Sequence, residues 1–235
     1  MLYPVAGVMV CATLVGCTPP PLAATVVYDH TGGKVIDLPT PYAPDQVALE
    51  SMTPITTAGT VGVLFGPLGG ALGAAYDQSV QQKRQAAFDT QLAQRGFVTA
   101  ALLQQQITRQ LQAEGYTVVP ESVTRPKGNF LDSYPAATPA APQLDVVLEM
   151  FGYLTAGMSS PYQPMVEMKY RLVGQGGKTL AQGAFQYSCL RGEQKPDPSY
   201  DYQTYSALAA DPSLAMKGLT DGLNRAAGAV AKRLN

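Results

Sequence analysis

The stretches "LDVVLEMFGYL" (144–154) and "MVEMKYRLV" (165–173) decide the fold. In the first, Leu144, Val146, Leu148 and Met150 occupy alternate positions. In the second, Val166, Met168, Tyr170 and Leu172 alternate with Glu167, Lys169 and Arg171. Successive strand side chains point to opposite faces, so this period predicts antiparallel strands with one apolar and one wet face. The "GQGGK" that follows (174–178) predicts a hairpin, because glycine takes the positive φ such turns need. The returning strand puts Phe185, Tyr187 and Cys189 on one face and Gln182, Gln186 and Ser188 on the other. Cys189 is thereby expected inside, beside aromatic rings, where a thiol is inert.

Upstream, Val47, Leu49 and Ser51 alternate with Ala48, Glu50 and Met52, which predicts a first strand around 46–53. Residues 77–114 read as helix, in one or two segments meeting near Gly96, with Val98, Leu102, Ile107 and Leu111 as a core-facing stripe. Gly115 suits its C-cap. Tyr116–Val119 read as a strand that Pro120 ends. The segment 124–143, with Pro126, Pro135, Pro139 and Pro142, reads as an exposed loop. Near the end, Asp211-Pro212 makes an N-cap and N1 pair. It opens a helix lined by Leu214, Leu219, Leu223, Ala227, Val230 and Leu234, and Lys232 and Arg233 suit its C-terminal dipole. The polar run 191–212 carries Tyr200, Tyr202 and Tyr205, which fits either an interface or a cover over a helix. The sum is an α+β domain over 45–235, a small, mostly antiparallel sheet packed by two or three helices.

Residues 1–16 carry no charge and include Val5, Val8, Met9, Val10, Leu14 and Val15. That is too short to span a bilayer, which needs about 20 apolar residues, and it suits the apolar core of a signal peptide. The order Leu14-Val15-Gly16-Cys17 resembles the lipobox of bacterial lipoproteins. The resemblance implies cleavage before Cys17 and acylation of its sulfur, with 1–16 as signal peptide and 17–44 as lipidated cysteine and extended tether. Thr18-Pro19-Pro20-Pro21 fits such a tether, since proline favours extended backbone.

Between Ser51 and Tyr76 no residue is charged, and the apolar insert 54–76 holds Gly62, Gly66, Gly70 and Gly73. Spacing by four places the first three on one helix face, where another backbone approaches closely, and the pattern resembles a glycine zipper. It fits a membrane-touching or self-associating element, and equally an apolar loop folded over the domain's own sheet. A phosphate-binding loop fits poorly, because no Lys-Ser/Thr follows the glycines.

The chain has 235 residues, 16 Lys and Arg against 17 Asp and Glu, one histidine and three cysteines. Its basic residues are spread along the sequence, which argues against a nucleic-acid partner. His30 lacks a second histidine or a cysteine at ligand spacing, so neither metal nor cofactor is expected. No Gly-x-Ser-x-Gly elbow occurs, and Asp197 and Asp201 sit in a proline-rich loop where solvation is expected. No enzymatic role follows.

The order of elements from about 45 to 235 resembles small periplasmic lipoproteins of the YajG kind and, more loosely, the periplasmic domain of the curli secretion channel. That resemblance implies helices on a small sheet and a non-enzymatic role as scaffold or accessory in envelope assembly or secretion. The uncharged Thr18 is similar to the sorting position of enterobacterial outer-membrane lipoproteins. The expected address is therefore the periplasmic face of the outer membrane. Expected partners are the membrane, through the lipid anchor, and an envelope protein or further copies of the chain. The alternative is an oligomeric pore- or ring-forming component that uses 59–75.

Overall fold

The computed structural model describes residues 34–51, 79–134, 141–155, 160–189 and 192–235. Cys17, His30, Gly62, Gly66, Gly70, Gly73 and the insert 54–76 lie outside these residues.

The fold is α+β. Its strands are β1 (Val35–Pro39), β2 (Ala48–Ser51), β3 (Thr117–Glu121), β4 (Gln143–Thr155), β5 (Tyr162–Val173) and β6 (Thr179–Tyr187). They form one sheet in the order β3-β1-β4-β5-β6, with β2 also paired to β4. The helices are α1 (79–94), α2 (Thr99–Ala113), α3 (Tyr205–Ala210) and α4 (Pro212–Arg233). The two long ladders, β4 with β5 and β5 with β6, are antiparallel as the alternation predicts. Three shorter parallel ladders join β1 to β3, β1 to β4 and β2 to β4.

The tether expected over 17–44 ends sooner, because the sheet begins at Val35 rather than at 45. Ile36 and Leu38 are buried in its core, a period-2 pair that the prolines at 39, 41 and 44 obscure. β1, a bridge from Tyr42 to Val147, and β2 follow one another along the same edge of β4. A methyl group on Gly152 would stand 1.9 Å from the Ala48 carbonyl oxygen, so only glycine lets β2 come this close. The outer edge of this region is closed by α1. Gln85 Oε1 accepts from Leu49 N at 2.7 Å, Asp89 Oδ1 accepts from Val47 N at 3.1 Å, and the Gln85 amide donates to the Val47 carbonyl.

Three further expectations are corrected. The alternation of β4 breaks at a bulge between Leu148 and Met150. Beyond it Phe151 and Tyr153, not Met150, continue the core face of Leu144, Val146 and Leu148, because one extra residue turns the pattern over. In α2 the buried stripe is Leu103, Ile107 and Leu111, while Val98 is 58% exposed at the N-cap. Pro120 does not end β3 but pairs with Leu38 inside it, which an edge strand tolerates. The helical stretch 77–114 does break at Gly96, whose φ of +71° demands glycine, and Phe97 then stacks on Phe151.

The helices cover one face of the sheet. The opposite face is not simply wet, because the loop 122–134 lies over it. Asp145, fully buried, accepts from Arg125 Nη2 at 2.6 Å, Leu131 N at 2.7 Å and the Tyr134 hydroxyl at 3.0 Å. Arg125 also donates to the carbonyls of Thr40, Val146 and Asn129. Arg171 lies 4.3 Å from the Phe130 ring centroid, and Lys169 pairs with Glu149.

Candidate functional site

α4 starts where Asp211 Oδ1 accepts from Leu214 N at 3.0 Å and Pro212 sets the first helical φ. Its sheet-facing side is unusually small: Ala215, Gly218, Gly222 and Ala226 are buried among the leucines. A methyl group on Gly218 would meet the Tyr153 hydroxyl at 2.6 Å, and one on Gly222 would meet Tyr187 and Val166 at 2.8 Å. α4 therefore lies close against the aromatic face of the sheet. α2 and α4 run in the same direction, since Tyr116 just after α2 donates to the Leu234 carbonyl at 2.5 Å and Asn235 donates to Glu114.

Between the two helices lies an open cleft of about 620 Å³. Ser213, Lys217, Thr220 and Asn224 of α4 form one wall, Arg95 and Arg109 the other, with Tyr200 and Met216 adding apolar surface. Arg109 Nη2 donates to Gln106 Oε1 at 2.6 Å and to Asn224 Oδ1 at 2.7 Å, and Gln110 Nε2 also donates to Asn224 at 2.7 Å. The cleft's carboxylate, Asp221, is already engaged by Arg225 at 2.8 Å and by the Tyr187 hydroxyl at 3.3 Å. Among the described residues no carboxylate forms an ion pair with Arg95, Arg109 or Lys217. The arrangement can hold an anion. Sequence reading saw these cations only as scattered, since Arg95, Arg109 and Lys217 converge through the helix pairing alone. The local signal was the polar stripe Ser213, Lys217, Thr220 and Asn224 at helical spacing on α4.

Of the tyrosines of 191–212, Tyr202 and Tyr205 are cover rather than free surface, whereas Tyr200 lines the cleft. Tyr202 is buried, its backbone pairs with Tyr162, and its hydroxyl donates to the Asp211 carbonyl. Tyr205 donates to the Arg84 carbonyl and packs beside that guanidinium. Burial pushes Tyr187 and Tyr202 up to about 12 and raises Tyr153, whose hydroxyl donates to the Ala215 carbonyl at 3.1 Å. These phenols are neutral hydrogen-bond donors. Asp197 and Asp201 do not act as a pair. Asp197 accepts from Ser199 N, a bond that lowers its pKa, and Asp201 accepts from Gln163 at 2.6 Å. Among the described residues no group of three or more His, Cys, Asp or Glu side chains is placed to hold a metal, and no helix is long and apolar enough to cross a membrane.

Cys189 is a correction. β6 ends at Tyr187, so the alternation that buries Phe185 and Tyr187 stops before the cysteine, and Ser188 is the buried neighbour. Cys189 is half-buried in the turn, and burial pushes its thiol up. Cys189→Ala is expected to change the free energy of unfolding by less than about 1 kcal/mol, and maleimide should label the native thiol more slowly than a free cysteine. Labelling as fast as free cysteine would contradict this placement.

No family model matches the chain, and no curated protein is significantly similar to it. Among solved structures it is similar to the Xanthomonas campestris protein XCC0632, of the DUF330 family, at 15% identity and a TM-score of 0.33. That match covers 57% of this chain and 62% of the other, so the chain spans less than two thirds of its neighbour's length. A lipoprotein from Caulobacter crescentus shows 19% identity over 57% of this chain and 76% of that one, with a TM-score of 0.28. Lipoprotein GNA1162 from Neisseria meningitidis shows 14% identity over 69% and 86%, with a TM-score of 0.24. Likenesses this weak place the chain in no family.

Proposed function

We propose that the chain is a lipid-anchored, non-enzymatic accessory of the bacterial cell envelope, held by Cys17 to the periplasmic face of the outer membrane. The observation that carries this reading is Leu14-Val15-Gly16-Cys17 after an uncharged apolar run and before Thr18-Pro19-Pro20-Pro21. The stretch from Cys17 to the first strand at Val35 reaches at most about 60 Å when extended. That length lets an anchored domain stand clear of the lipid while staying within reach of partners. The open cleft between α2 and α4 is a concave surface suited to binding a partner or ligand. One acyl chain holds a protein to a membrane only marginally, and several hold it firmly. Cys17→Ser should therefore move the protein from the membrane to the soluble fraction. Unchanged membrane retention would contradict the anchor, and density-gradient banding with the inner membrane would contradict the outer-membrane address.

A second reading rests on the four-residue spacing of Gly62, Gly66 and Gly70, which suits close packing between copies of the chain. In it the segment 59–75 builds an oligomeric ring or pore.

A further inference from the structure

We propose that the cleft between α2 and α4 binds a phosphate-bearing ligand. Arg95, Arg109 and Lys217 reach it from three separate parts of the chain, and none of them has a carboxylate partner among the described residues. Like charges gathered on one concave surface repel one another and raise the local potential, and an anion seated between them relieves this. The one carboxylate on the wall does not serve as that counter-charge, because Arg225 and Tyr187 already hold Asp221. Arg109 is braced by Gln106 and Asn224, so its planar head is fixed before any ligand arrives, and less side-chain freedom is lost on binding.

Three cations match a phosphate group, which carries one negative charge in a diester and about −1.5 to −2 in a monoester and accepts from several N–H donors at once. The volume of about 620 Å³ exceeds what a bare phosphate fills, and Tyr200 and Met216 offer apolar surface to a neighbouring carbon skeleton. A lipid headgroup and a small soluble phosphate share this chemistry. The inference extends the accessory reading by naming what the cleft holds. It does not depend on the anchor.

The test is isothermal titration calorimetry of the full chain in non-ionic detergent with three probes: inorganic phosphate, dihexanoyl phosphatidylglycerol and dihexanoyl phosphatidylcholine. The anionic probes should bind, more weakly as salt rises, and the choline lipid should bind at least about tenfold more weakly than the glycerol lipid. Tighter binding of phosphatidylglycerol than of phosphate identifies a headgroup; equal or weaker binding identifies a soluble phosphate. Lys217→Gln, at an exposed side chain with no ion pair, should weaken the anionic probe by roughly tenfold without changing the thermal midpoint. Arg109→Gln should weaken it at least as much. Absence of binding by both anionic probes, equal binding of the choline lipid, or full affinity in Lys217→Gln overturns the proposal. The Cys17→Ser chain should keep the affinity of the unaltered protein, so failure of the anchor and failure of the cleft are read separately.

Discussion

Replacing Asp145 with alanine is expected to cost about 3–5 kcal/mol of stability. Asp145 is wholly buried, and Arg125, with a side chain only 8% exposed, loses its one charge partner among the described residues when the carboxylate goes. Taking an ion out of water costs several kcal/mol unless a partner compensates it, so the penalty comes from the stranded guanidinium more than from the lost attraction. Leu131 N and the Tyr134 hydroxyl lose their acceptor in the same step, which loosens the loop 122–134 on the sheet. Arg125→Met combined with Asp145→Leu should recover part of the loss, because no buried charge remains unpaired. Urea unfolding followed by circular dichroism reads both variants against the unaltered protein. An Asp145→Ala midpoint equal to that of the unaltered protein would show that the pair is not buried.

Gly222→Ala is expected to destabilise by about 1–3 kcal/mol through overpacking, although alanine is the better helix former by about 1 kcal/mol. The added methyl group would stand 2.8 Å from both the Tyr187 ring and a Val166 methyl, in a core with no slack. Gly228 on the same helix supplies the control. Its added methyl group would meet only the end of Gln110, at 3.3 Å, and that flexible amide can swing aside. Gly228→Ala should therefore leave stability unchanged or raise it by up to about 1 kcal/mol. Opposite signs at two glycines six residues apart report directly on how α4 is seated; equal signs would mean that it sits farther from the sheet.

The antiparallel half of the sheet was legible because period 2 is a local property, and β5 carries it without interruption from Val166 to Leu172. β4 carries it only to Leu148, and a bulge leaves no mark in composition. β1 was missed for a different reason. Its inward pair, Ile36 and Leu38, is too short to stand out among prolines, and it is ordered by partners at 117–121 and at 143. Parallel pairing of this kind lies between distant segments and has no turn signature of its own. α4 was found from its leucines, yet its closest approach to the sheet is made by Gly218 and Gly222, which a hydrophobic stripe does not score. The cleft was illegible for the same reason as β1, because helix pairing brings its two walls together. The anchor, in contrast, is a contiguous motif, readable from Leu14 to Cys17 without any fold at all.

Membrane attachment through Cys17 is the claim on which the functional account turns, and intact-mass spectrometry of the protein extracted from bacterial membranes tests it most directly. The account predicts a chain that begins at Cys17 and carries the added mass of a diacylglyceryl group on its sulfur. A chain that retains residues 1–16, or one that begins elsewhere with Cys17 as a free thiol, would contradict it.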